Sequence, residues 1–77
     1  MKIKLGKNEL KILSYLGNVF PEHRDSIQIG AHFVEHNSWV FRTCKKLMEK
    51  GLIEKSTLGG YIITPKGLIT YIDAEVI

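Results

Sequence analysis

Apolar residues recur along the first third of the chain at steps of three and four. Leu10, Leu13, Leu16 and Phe20 fall in one series, with Ile12 and Val19 beside it. That spacing predicts a helix from about Lys7 to Val19, one side of which faces a core. Asn8 is placed to cap its start, because its side chain can accept from an unpaired backbone N–H. Pro21 stops the helix, and Pro-Glu-His-Arg-Asp reads as a polar loop. A short second helix follows, from Ser26 or Ile27 to Val34, with Ile29, Phe33 and Ala31 as its inward candidates. Gly30 weakens that helix in isolation but lets another helix come close.

After the turn Glu35-His36-Asn37-Ser38, either Asn37 or Ser38 suits the N-cap of a third helix. That helix runs to Lys50 and ends at Gly51, a residue able to adopt the left-handed conformation of a helix stop. Lys45, Lys46 and Lys50 lie in its later turns, where cations suit the helix dipole. Leu52-Ile53-Glu54-Lys55 and Tyr61-Ile62-Ile63-Thr64 are strand-forming runs on either side of a turn containing Gly59-Gly60, the pattern of a hairpin. Ile53 faces the core, joined by Ile62 or Ile63. Pro65 opens a last helix, to about Ala74, with Leu68, Ile69, Tyr71 and Ile72 on a broad apolar side.

At about 100° per residue, Val40, Cys44 and Leu47 share one face of the third helix. The opposite face carries Ser38, Arg42, Lys45, Lys46 and Glu49. Trp39 and Phe41 lie on the flanks. Phe41 is expected to complete the core, leaving Trp39 the more exposed ring.

The order helix, short helix, turn, helix, hairpin carries a resemblance. The run from Ser38 to Lys55, with its Val40…Leu47…Gly51-Leu52-Ile53 skeleton, is similar to the recognition helix and first wing strand of winged-helix regulators of the MarR and PadR type. The second wing strand and its exit, Tyr61-Ile62-Ile63-Thr64-Pro65-Lys66-Gly67, resemble the Y-x-[IL]-T-x-x-G exit of those families. The match spans roughly residues 26–67. Full-length members carry further dimerisation helices, for which this chain has little room. The implied fold is α+β: a winged helix-turn-helix with a three-helix core, a two-stranded wing and a C-terminal helix. One such domain accounts for residues 1–77.

An α-helix fits the major groove, where Arg bonds guanine in bidentate fashion and Lys neutralises phosphates. Double-stranded DNA is therefore the expected partner, with transcription regulation as the expected role. Arg42 is the candidate for base contact. Ser38 and Trp39 are placed near sugar-phosphate or a thymine methyl, Thr43 of the same helix is a further DNA-contact candidate, and Lys45 and Lys46 are phosphate candidates. Lys55, Ser56 and Thr57 on the wing are candidates for the flanking backbone or minor groove. The alternative is a protein-binding winged helix within a larger assembly. Trp39, Phe41 and the apolar tail Ala74-Glu75-Val76-Ile77 motivate it, and the fold alone does not choose between the two.

The chain has 77 residues, 44% hydrophobic and 25% charged, with a net charge of +3. That balance suits a folded domain and permits nucleic-acid binding. The single cysteine, Cys44, allows no internal disulfide, which fits a reducing cytoplasm. Met1-Lys2-Ile3-Lys4-Leu5 is too short and charged for a secretory signal, and no apolar run nears the ~20 residues that span a bilayer. His32, His36 and Cys44 do not make a zinc site, because His36 falls in the turn and Cys44 faces inward. No glycine-rich phosphate loop or nucleophile pattern is present, so neither an enzyme nor a cofactor is expected. A homodimer through the apolar C-terminal helix is expected, unless that helix simply packs on Leu10, Leu13 and Leu16 of its own chain.

Overall fold

The computed structural model describes residues 5–33, 38–57 and 59–76. Along the chain run α1 (Lys7–Val19), α2 (Ser26–Phe33), α3 (Ser38–Glu49), β1 (Ile53–Lys55), β2 (Tyr61–Ile63) and α4 (Pro65–Val76). The expected α+β order is the order observed.

The start of α1 is fixed by Glu9, whose Oε1 accepts from the Gly6 N–H at 3.0 Å. Gly6 is thus the N-cap, and Asn8 is an exposed residue inside the first turn. Ile12, Leu13 and Leu16 are wholly buried. Leu10 and Phe20, expected beside them, are 38% and 47% exposed. Phe20 has left the helix (ψ 136°), so helical periodicity no longer directs its side chain.

Asp25 and Gln28 close a reciprocal capping box at the start of α2. Gln28 N–H donates to Asp25 Oδ1 at 2.8 Å, and Asp25 N–H donates to Gln28 Oε1 at 2.9 Å. Ile29 and Gly30 are buried, Phe33 is half-buried, and Ala31 is exposed rather than inward. Val34, Glu35, His36 and Asn37 lie outside the described residues.

The stop at Gly51 is a Schellman motif. Gly51 has φ +75°, its N–H donates to Met48 O at 2.9 Å, and Leu52 N–H donates to Leu47 O at 3.0 Å. Leu47 and Leu52, the hydrophobic pair of that motif, are both fully buried. The hairpin then pairs Ile53 with Ile63, Glu54 with Ile62 and Lys55 with Tyr61. Ile53 and Ile63 are the buried pair, while Ile62 is half-buried opposite exposed Glu54.

The loop before α2 is more than a polar connection. Arg24 N–H donates to Tyr61 O at 3.0 Å and Tyr61 N–H donates to Arg24 O at 2.8 Å, so Arg24 bridges to the hairpin as a third edge. This approach needs Gly60: its φ is +115°, and a Cβ there would lie 3.1 Å from the Arg24 carbonyl carbon.

Thr64 joins wing to α4. Its hydroxyl donates to Gly51 O at 2.7 Å and accepts from Gly67 N–H at 3.0 Å, capping the helix. α4 packs back on α1. The Tyr71 ring covers Gly17, where a Cβ would meet it at 2.7 Å, and Tyr71 O–H donates to Asn18 Oδ1 at 3.0 Å. Leu68 and Tyr71 take this inward side, leaving Ile69 and Ile72 64% and 56% exposed.

Candidate nucleic-acid interface

α3 is amphipathic. Val40, Cys44 and Leu47 are fully buried against the core. Thr43 joins them: it is 7% exposed, and its hydroxyl donates to Trp39 O at 2.7 Å. Thr43, expected among the DNA contacts, is therefore not on the outer face: the helix turns it inward between Val40 and Leu47.

The outer face carries Phe41, Arg42, Lys45, Lys46 and Glu49, all exposed. Arg42, Lys45 and Lys46 enter no ion pair among the described residues. Lys50 differs. Its Nζ lies 2.6 Å from Glu9 Oε2, joining the end of α3 to the start of α1. Burial tends to raise the Glu9 pKa. Hydrogen bonds from Lys50 and the Gly6 N–H, with the positive fields of Lys50 and Lys46, outweigh it and hold the carboxyl below its ordinary value.

The two aromatic residues of α3 exchange their expected places. Trp39 is half-buried on the core, its ring 5.9 Å from that of Phe33. Phe33 in turn meets Tyr15 and His32, which stack at 4.1 Å. The Trp39 Nε1 is buried, with no hydrogen-bond partner among the described residues. Phe41, expected inside, is 54% exposed. Ser38 opens α3, and its side chain lies outside the described residues.

On the wing, Lys55 and Thr57 are exposed. Ser56 is half-buried, with its hydroxyl 3.3 Å from His23 Nδ1, which ties the base of the wing to the loop before α2. Arg24 supports the same junction. Its guanidinium donates to Tyr15 Oη at 3.2 Å and to His23 O at 2.8 Å. Sequence reasoning passed over His23 and Arg24; the signal that Arg24 offered was its place directly before the Asp25–Gln28 box.

Elsewhere, burial pushes the Cys44 thiol up to about 12. His32 is stacked on Tyr15, while His36 lies outside the described residues. An open groove runs between α1 and α2, lined by Leu10, Tyr15, Asn18, His32 and Phe33. Among the described residues no helix is long and apolar enough to cross a membrane.

No protein-family model matches the chain, and no curated protein matches its sequence. Among solved structures, the chain superposes on a MarR/EmrR family transcriptional regulator from Acinetobacter sp. ADP1 with a TM-score of 0.82 and 28% sequence identity. The match covers 94% of this chain and 51% of that one, so this chain spans about half the length of the regulator. In this chain α2 and α3 are consecutive helices, and the β1–β2 hairpin follows them. The chain has a winged helix-turn-helix fold, similar to that of this MarR/EmrR family regulator.

Proposed function

We propose that this chain binds double-stranded DNA sequence-specifically, as a small cytoplasmic transcriptional regulator. The observation that carries the reading is the outer face of α3, where Arg42, Lys45 and Lys46 stand exposed, in no ion pair among the described residues, beside a short wing. Exposed cations on a helix that fits the major groove are suited to phosphates and guanine edges. In this reading Arg42 meets a base, Lys45 and Lys46 meet phosphates, and Ser38 sits near the backbone at the helix start. Lys55, Ser56 and Thr57 meet the flanking backbone or minor groove. Trp39 acts from behind, packed on Phe33, and holds the helix in place. The likeness to a transcriptional regulator supports the same reading.

The exposed Ile69 and Ile72 of α4 suit a second copy of the chain. Such a pair would present two α3 helices to half-sites one helical turn apart.

The test is a gel shift with random-sequence duplexes at low salt. Retention that weakens steeply as salt rises supports DNA binding. No retention at any protein concentration up to about 100 μM, against the micromolar binding usual for non-specific contacts, overturns it.

A further inference from the structure

We infer that Phe41 reads a base: its ring packs on the C5 methyl of a thymine in the major groove, giving the chain a preference for A·T at that step. The inference rests on the proposal that α3 enters that groove.

On α3, Phe41 is a large apolar residue that the core leaves out. It is 54% exposed, although the neighbouring positions Val40, Thr43 and Cys44 are buried and the other aromatic of the helix, Trp39, is packed on Phe33. It stands three residues after Ser38, in the opening turn of α3, and early residues of a recognition helix are those that reach base edges. Its surroundings select the partner. Lys45, four residues on, projects from the same side of the helix roughly 5–6 Å away between Cβ atoms, and Arg42 is adjacent. A protein surface covering Phe41 would have to desolvate both cations, whereas interface cores are depleted of charge. A DNA groove gives the cations phosphates and leaves the ring facing base edges. The apolar group presented there is the thymine methyl.

The experiment starts from a random duplex pool, selected separately with the wild-type protein and with Phe41→Ala. The truncated side chain is largely in solvent, so the variant should fold; a thermal melt checks this, and Phe41→Leu serves as a second variant that keeps an apolar contact. Selected 20-base-pair duplexes are then remade with deoxyuridine in place of one thymidine at a time, which removes only the methyl. The expected result is one position where this exchange weakens wild-type binding about fourfold, the worth of one buried methyl group. Phe41→Leu should keep part of that loss and Phe41→Ala none of it.

Equal losses in wild type and Phe41→Ala, no position sensitive to deoxyuridine, or selection without a thymine preference would each overturn the role of Phe41 while leaving DNA binding standing. In the first of those cases, with unchanged DNA affinity, Phe41 faces a different partner. No duplex retained by the wild type would instead overturn the DNA-binding reading, and this inference with it.

Discussion

Gly67 is the third residue of α4, and replacing it with alanine sets two effects against each other. Helix propensity alone favours alanine by about 1 kcal/mol. Packing opposes it. A Cβ at Gly67 would lie 2.0 Å from Leu52 O, 2.7 Å from Ile63 Cγ1 and 2.9 Å from the Leu52 carbonyl carbon. Ordinary van der Waals contact begins near 3.4 Å, so backbone must move by about 1.4 Å from the 2.0 Å position. That backbone is not free to yield. Leu52 O accepts from Thr64 N–H at 3.0 Å, Leu52 N–H closes the Schellman motif, and the Leu52 side chain is fully buried. Overpacking of this kind costs about 1–3 kcal/mol and more when the obstacle is backbone. The rigid backbone obstacle puts the cost at the upper end, about 3 kcal/mol or more; propensity offsets about 1 kcal/mol of it, and the net expectation for Gly67→Ala is a loss of about 2 kcal/mol or more. For a chain of this size that lowers Tm by at least about 8 °C. Thermal and urea unfolding followed by circular dichroism measure it. A variant as stable as the wild type, or more stable, would refute the close approach of α4 to the start of the wing.

Three further outcomes follow from the same structure. Glu9→Gln should cost about 1–2 kcal/mol at pH 7, as loss of a charge-assisted hydrogen bond does. Because the folded Glu9 pKa is depressed, its contribution is present above the ordinary value of 4.5 and is lost as pH falls through the lower folded value. The stability gap between wild type and Glu9→Gln should therefore narrow as pH falls below 4.5, and a gap independent of pH would contradict the ion pair with Lys50. Cys44, with its thiol pushed up to about 12, should resist iodoacetamide at pH 8 until urea unfolds the chain, and ready labelling of the folded protein would contradict its burial. Arg42→Ala should flatten discrimination among duplex sequences, whereas Lys46→Ala should weaken all of them alike and reduce the salt slope by about 0.9; identical behaviour of the two variants would contradict the division of roles.

What the sequence shows of this fold is what depends on strong local rules. Gly51 and Gly59-Gly60 stand where positive φ is needed, and both the helix stop and the wing turn form there. Ile12, Leu13 and Leu16 repeat at helical spacing and are buried. The boundaries of a helix face are less legible. Trp39 and Phe41 flank the inward stripe of α3 on opposite sides, and periodicity alone cannot rank them. Which ring is covered depends on Phe33, a residue of another helix that lies beside Trp39. Thr43 is polar by type, yet its hydroxyl can be satisfied by the carbonyl four residues back, so it tolerates burial. The Arg24–Tyr61 bridge joins residues far apart in sequence, and no local pattern in Pro-Glu-His-Arg-Asp announces it. The T-x-x-G of the resemblance gains a physical reason: Thr64 caps α4, and Gly67 admits the Leu52 carbonyl. The cationic character of the candidate interface was legible from Arg42, Lys45 and Lys46. That Lys50 is drawn away to Glu9 was not, because Glu9 sits on α1.

The central claim is that α3 and the wing form the DNA-binding surface. It is tested most directly by titrating the nitrogen-15-labelled protein with a short duplex at low salt and following each backbone amide. The expected result is shift or broadening centred on Phe41, Arg42, Lys45 and Lys46, with a second cluster at Lys55, Ser56 and Thr57. Perturbations centred instead on Ile69 and Ile72 of α4 or on the α1–α2 groove, or a spectrum unchanged by duplex, would contradict it.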